Sequence, residues 1–137
     1  MRICDAQSDA EASTALAGLI VSCVAQAALD YDDGVPFEDP PPRFVEENLW
    51  RAIRYGLDGR MLDLATVEEY PSAAIGERLL AWTAPARATL GIEPALPAAN
   101  GAQRQRRALA DGATMQEIFA AEVETAGNTY ANPEVRA

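Results

Sequence analysis

The stretch Glu46-Glu47-Asn48-Leu49-Trp50-Arg51-Ala52-Ile53-Arg54-Tyr55-Gly56-Leu57-Asp58-Gly59 organises the chain. Val45, Leu49, Ile53 and Leu57 recur at a spacing of four, which puts them on one face of an amphipathic helix. Glu47, Arg51, Arg54 and Asp58 form a second, charged stripe. Gly56 or Gly59 ends the helix. Two arginines on one stripe serve either as surface ion pairs or as a clamp for an anionic substrate.

Composition narrows the choices around this helix. At 137 residues the chain is one domain or part of one, and 49% apolar residues suffice for a modest core. Eleven basic residues against 21 acidic ones give a net charge of −10. That balance argues against nucleic acid and against an anionic membrane surface as partners. All 11 basic residues are arginine, and there is no histidine. An imidazole base, a Schiff-base lysine and a P-loop lysine are therefore excluded within these residues. Cys4 and Cys23 make no disulfide framework, and Cys23 reads as a buried small hydrophobe, which fits a reduced, cytoplasmic setting. No n-region and h-region opens the chain, so no signal peptide is expected. The apolar stretch Ala15 to Leu29 is interrupted by Ser22 and Gln26 and reads as too short and too amphipathic to span a bilayer.

In chain order, Met1 to Asp5 reads as the end of a strand. Ser8-Asp9-Ala10-Glu11 has the form of a capping box and opens a helix from about Asp9 to Leu29, with Ala12, Ala15, Leu16, Leu19, Ile20, Cys23, Val24 and Ala27 on its apolar face. Asp30 to Arg43, with Pro40-Pro41-Pro42, reads as an extended break and an acidic solvated loop. Residues 60–70 suggest a small hairpin or an extended crossing. Pro71-Ser72 starts a helix running to about Leu90, kinked or split at Pro85 and stopped by Gly91. Asn100 to Ala110 reads as an arginine-rich helix. Thr114-Met115-Gln116-Glu117 is a second capping-box form, opening a helix to about Thr125, and 127–137 reads as a frayed tail. The fold class is mainly α with a strand at the N-terminus. The arginine clusters, Arg51/Arg54 and Arg104/Arg106/Arg107, are candidates for binding carboxylates or phosphates, or for pairing with the surface carboxylates.

Several segments together resemble the carboxylate–amine ligases of the glutamate–cysteine ligase type 2 family. They are Met1-Arg2-Ile3-Cys4-Asp5-Ala6, the long helix after it, the run Glu47-Asn48-x-Trp50-Arg51-Ala52-x-Arg54-Tyr55-Gly56-Leu57-Asp58, and Asn100-Gly101-Ala102-x-Arg104-Gln105. The tryptophan–arginine–glycine run is the most specific of these. The resemblance implies the C-terminal helical part of an α+β, glutamine synthetase-like fold over residues 1–126, with a flexible tail over 127–137. It implies ATP and magnesium as cofactors and an acyl phosphate made from a carboxylate, commonly the γ-carboxylate of glutamate. An amine such as that of cysteine then displaces the phosphate. Arg2 matches the arginine of the family's catalytic strand, whose glutamate, a metal ligand two residues before it, would precede Met1. Residues two apart share one strand face, so the pair would point into one site. Arg51 and Arg54 would line the substrate end, with Arg104 and Gln105 as further substrate-binding candidates; no metal ligand falls within the chain.

The expectation is therefore a truncated ligase that is inactive alone, acts on small-molecule substrates (amino acids and ATP), and forms a homo-oligomer or associates with a missing N-terminal part. The alternative expectation is a non-catalytic helical module that self-associates or pairs with a complementary chain, since truncation leaves apolar surface uncovered.

Overall fold

The structure, a computed structural model, describes residues 7–37, 39–94 and 99–131. The strand expected over 1–5, with Arg2, lies outside the described residues. Within them the elements run α1 (Ala10–Asp32), α2 (Pro42–Tyr55), a 3-10 turn (Gly56–Asp58), β1 (Arg60–Leu62), β2 (Glu69–Pro71), α3 (Ser72–Trp82), α4 (Ala84–Leu90), α5 (Gly101–Ala110) and α6 (Met115–Tyr130). The chain divides into two compact units, residues 1–18 with 93–137, and residues 19–92.

The first unit holds the start of α1 together with α5 and α6. Asp9, not Ser8, caps α1: its Oδ1 accepts from the Glu11 amide at 2.9 Å. The Ser8 hydroxyl donates instead to Glu122 on α6. Both later helices open on complete capping boxes, Asn100 with Gln103 on α5 and Thr114 with Glu117 on α6. Gly112, at φ 98°, closes α5, with the Ala113 amide donating back to the Ala108 carbonyl at 3.0 Å. α6 continues to Tyr130, past the expected end at Thr125, and takes residues 127–130 out of the expected tail. Side chains of its last turn explain the extension. Thr129 Oγ1 accepts from the Ala10 amide at 3.1 Å, and the Tyr130 hydroxyl donates to the Gln7 carbonyl at 2.9 Å.

The second unit holds the rest of α1, then α2 to α4 with the hairpin. The expected break at Asp30 to Arg43 is shorter than its prolines suggest. α1 runs on to Asp32, and α2 begins at Pro42, because a proline in the first turn loses no helical hydrogen bond. Gly56, at φ 58°, ends α2. Pro85 splits the third expected helix into α3 and α4 around the buried Thr83, whose hydroxyl donates to the Leu79 carbonyl at 2.9 Å. β1 and β2 pair antiparallel with Met61 opposite Tyr70, so residues 60–70 form a hairpin. Its turn is built by Asp63, whose Oδ1 accepts from the Ala65 and Thr66 amides at 3.0 and 3.1 Å. The turn also holds Val67 at φ 61°, a left-handed conformation that costs a branched residue about 1–2 kcal/mol.

Small residues carry the interior. The buried hydrophobic residues among those described are Ala10, Ala12, Ala15, Ala86 and Ile118. The buried row of α1 runs through Ser22 and Gln26, the two residues that seemed to interrupt its apolar stretch, while Val24 is 68% exposed and Cys23 is half-buried. For Gln26 a helix N-terminus supplies the reason. The first amides of α4 lack helical acceptors, and Gln26 Oε1 accepts from the Ala86 amide at 3.2 Å. Gln26 Nε2 donates to Asp30 Oδ1, and the Trp82 indole donates to Asp30 Oδ2, both at 2.8 Å. Asp30 is thus a helix-joining acceptor rather than part of a solvated acidic loop. At 23 residues α1 also exceeds the stretch read from the sequence, and by length and composition it is apolar enough to cross a membrane.

Candidate functional site

Asn48 and Arg51 of α2, with Glu47 beside them, lie against the hairpin, and the apolar stripe faces away. Val45, Leu49, Ile53 and Leu57 are 47, 41, 78 and 44% exposed. The face between Glu47 and Arg51 is occupied because the hairpin brings unpaired backbone groups that only polar side chains can satisfy. Asn48 does so as a short surrogate strand. Its Nδ2 donates to the Leu62 carbonyl and its Oδ1 accepts from the Leu62 amide, both at 2.8 Å.

Arg51 sits one turn along the same face. Its Nε meets Glu47 Oε1 at 2.7 Å, and its Nη2 meets Glu69 Oε1 on β2 at 2.8 Å. Its Nη1 donates to the Arg60 carbonyl at 3.5 Å. Arg60 completes the group: Nη2 donates to the Glu69 carbonyl at 2.8 Å, and Nε lies 3.5 Å from Glu69 Oε2. On the far side of the hairpin, Arg78 of α3 meets Asp63 Oδ2 at 2.7 Å and lies 3.9 Å from the centre of the Tyr70 ring.

These residues border an open cleft of about 350 Å³ lined by Trp50, Arg51, Tyr55, Gly59, Arg60 and Glu69. Trp50 and Tyr55 meet edge to face with ring centres 5.6 Å apart. Gly59 admits the chain at its closest approach: a Cβ there would lie 2.7 Å from Tyr55 Cβ. Two guanidiniums are balanced by the carboxylates of Glu47 and Glu69. An anion entering the cleft therefore competes with Glu69 for Arg51 and Arg60. The charges also support one another. Glu47 and then Glu69 push the Arg51 pKa up, and Arg51 holds the Glu69 carboxyl below its ordinary 4.5. The Thr66 and Ala65 amides, with a smaller contribution from Arg78, hold Asp63 below its ordinary 3.8.

A pH dependence follows from these directions. A carboxylate whose folded pKa is depressed stabilises the fold above its unfolded pKa and loses that contribution as pH falls through the folded value. Hairpin stability is expected to be flat from about pH 8 to about pH 5, then to fall below the ordinary carboxylate range. Amide exchange of Leu62 and Glu68 across an acid titration measures it. Glu69→Gln should lower protection at neutral pH and flatten the acid limb.

The sequence-predicted residues are distributed between the units. Arg51 lines the cleft. Arg54 does not; it is exposed, with its guanidinium 5.9 Å from the Tyr55 ring centre. Arg104 and Gln105 belong to the other unit. Arg104 Nη1 donates to the Ala99 carbonyl at 3.2 Å. Gln105 borders a second cleft, of about 250 Å³, with Ala102, Arg106, Leu109, Met115 and Ile118. Arg2 lies outside the described residues. Sequence reasoning missed Asn48, Gly59, Arg60, Glu69 and Arg78. Only Asn48 carried a signal, as a poor helix former inside a strong helical pattern. Among the described residues no group of three or more His, Cys, Asp or Glu side chains could hold a metal ion.

An arginine-bearing helix clamped onto a short hairpin belongs here to a ligase family. Glutamate-cysteine ligase family 2 matches residues 1–135, and the chain belongs to that family. A relative from Sorangium cellulosum, named "Putative glutamate--cysteine ligase 2", is 30% identical over 125 residues, covering 91% of this chain and 32% of the relative. A relative from Rubrobacter xylanophilus is 33% identical over 125 residues, covering 86% of the chain and 32% of the relative. One from Leifsonia xyli subsp. xyli is 45% identical over a shorter span of 62 residues, covering 45% of the chain and 16% of the relative. The chain thus spans about a third of the length of the first two. No solved structure matches it.

Proposed function

We propose that the chain is the C-terminal portion of an ATP-dependent carboxylate–amine ligase with a glutamine synthetase-like fold, working in the cytoplasm. The family match over residues 1–135 carries this reading. The reaction joins the γ-carboxylate of glutamate to the amine of cysteine through an acyl phosphate. Arg2 holds the phosphoryl group or the substrate carboxylate. Arg51 and Arg54 serve the substrate end, and Arg104 and Gln105 are further substrate contacts. The described residues do not fit the nucleotide and its magnesium: they hold no three-residue metal cluster, and the chain has no lysine. The proposal therefore places both on the rest of the family's length, and this chain alone is inactive and binds no ATP.

Transplantation tests it. In the Sorangium relative, the matching third is replaced by this chain, and ADP release is followed with glutamate and cysteine present. Turnover that needs both amino acids supports the reading, and Arg2→Ala should then abolish it. A folded chimera that consumes no ATP, or an Arg2→Ala variant with unchanged turnover, rejects it.

The outward apolar row of α2 favours a second reading, a helical association module without catalysis. Calorimetric titration of the 137-residue chain with ATP separates it from a self-sufficient enzyme.

A further inference from the structure

The cleft between α2 and the hairpin is built around a carboxylate that the chain supplies itself. Glu69 spans both cations: its Oε1 lies 2.8 Å from Arg51 Nη2, and its Oε2 lies 3.5 Å from Arg60 Nε. The Glu69 side chain is 46% exposed and that of Arg60 55%, and exposed ion pairs contribute little to stability. The hairpin has other fastenings, the two Asn48 bonds to Leu62 at 2.8 Å and the Ser72 amide on the Gly59 carbonyl at 3.0 Å. Glu69 can therefore let go of Arg51 while β1 and β2 stay in place. We propose that the cleft binds a neutral α-amino acid. The ligand's carboxylate takes the place of Glu69 between Arg51 and Arg60, the displaced Glu69 receives its ammonium, and its side chain lies against Trp50 and Tyr55. Under the ligase reading, on which this last assignment rests, the cleft takes the substrate that brings the amine rather than the one that brings the γ-carboxylate.

Charge balance selects the class of ligand. Two guanidiniums, Arg51 and Arg60, face two carboxylates, Glu47 and Glu69, so the group is neutral before a ligand arrives. A bare carboxylate would leave one negative charge in excess, in a chain whose net charge is already −10. A ligand with its own ammonium keeps the balance and gives Glu69 a cation in exchange for the one it releases. A second carboxylate on the ligand, as in glutamate, restores the excess, so the side chain is uncharged.

Size and lining set the rest. A volume of about 350 Å³ is that of about a dozen waters, room for about ten non-hydrogen atoms. That suits a free amino acid and falls well short of a nucleotide. Glu69 already shows that a carboxylate fits between the two guanidiniums, whose forked donors match carboxylate oxygens. Trp50 and Tyr55, half exposed and fixed edge to face with ring centres 5.6 Å apart, give the cleft its apolar wall. An apolar wall with a few convergent polar groups is the usual make-up of a small-molecule site.

Nitrogen-edited NMR titration of the full 137-residue chain reads the outcome through the Trp50 indole and Arg51 Nε–H signals. The Trp82 indole is the control, because it donates to Asp30 at 2.8 Å and does not line the cleft. L-valine, from about 0.1 mM to about 50 mM, should shift Trp50 and Arg51 to saturation and leave Trp82 in place. Isovalerate lacks the ammonium, isobutylamine lacks the carboxylate, and L-glutamate adds a charge; each should bind at least about tenfold more weakly. Arg60→Gln, at an exposed position, should weaken valine about tenfold. Glu69→Gln should weaken valine and strengthen isovalerate, so the preference between them falls by about tenfold or more. The Leu62 amide signal monitors the docked hairpin in both variants, and the ligand series on the parent chain needs neither. No saturable shift up to about 50 mM overturns the proposal, as does a Trp82 shift equal to that of Trp50. Isovalerate binding as tightly as valine overturns the role of the ammonium, and glutamate binding more tightly than valine overturns the neutral side chain. None of these readouts needs ATP or turnover, so their failure leaves the ligase reading to its own test.

Discussion

Asn48→Ala is expected to destabilise the hairpin by about 2 kcal/mol, among the largest single-residue effects in the second unit. The side chain makes two hydrogen bonds to one residue, accepting from the Leu62 amide and donating to its carbonyl, both at 2.8 Å. Each is worth about 1 kcal/mol net, and truncation leaves both half-buried backbone groups short of a partner. Two kcal/mol corresponds to about thirtyfold faster exchange of the Leu62 amide. Asn48→Asp separates the two bonds. The carboxylate still accepts from the amide, but it confronts the Leu62 carbonyl with a second acceptor. It should lose at least half as much stability, and protonation near the ordinary carboxylate range should restore part of it. If Leu62 exchanges at the same rate in Asn48→Ala as in the parent, the surrogate-strand role of Asn48 is wrong.

Gly59→Ala should cost a similar amount for a different reason. The backbone of Gly59 has φ −84°, which any residue adopts, so conformational freedom is not what glycine provides here. Space is. An added Cβ would lie 2.7 Å from Tyr55 Cβ and 3.3 Å from the Gly56 carbonyl oxygen, and neither is the end of a flexible side chain. The 3-10 turn has to shift, and with it the Ser72 amide that donates to the Gly59 carbonyl at 3.0 Å. Overpacking of this kind costs about 1–3 kcal/mol. Gly76→Ala is the matched control. Nothing lies within 4 Å of its added Cβ, and it sits inside α3, so it should be neutral or stabilising by up to about 1 kcal/mol. Equal urea midpoints for the two variants would remove the packing argument.

Both substitutions act on the same assembly, which places Arg51 in context. Its guanidinium is held by Glu47, Glu69 and the Arg60 carbonyl, so it is first a fastener of β1 and β2 onto α2. A substrate-binding role for Arg51 has to operate through displacement of Glu69. Glu69→Gln is therefore informative for the ligase proposal as well as for stability.

Local rules acted through neighbours in the chain and were legible. The Thr114–Glu117 box, the stops at Gly56 and Gly91 and the split at Pro85 each depend on residues within about one turn, and the structure shows each of them. The capping role of Asn100 rests on equally local residues. The start of α1 was misplaced by one residue, because Ser8 and Asp9 are both capping residues and Glu122, far along the chain, takes the Ser8 hydroxyl.

For the opening helix, the sequence by itself determined that residues 45–57 have one apolar and one charged stripe, that the helix stops at Gly56 or Gly59, and to which ligase family its residues point. It did not determine which stripe faces inward. Periodicity counts faces, but a face becomes interior only when something docks on it. Here the docking element is a hairpin whose backbone hydrogen bonds are short of partners, and Asn48 and Arg51 satisfy them. The same logic buried Gln26 on α1 and left Val24 outside, because the α4 amides needed an acceptor. In both helices tertiary structure chose the polar side, since an unmet backbone hydrogen bond costs more locally than an exposed aliphatic side chain.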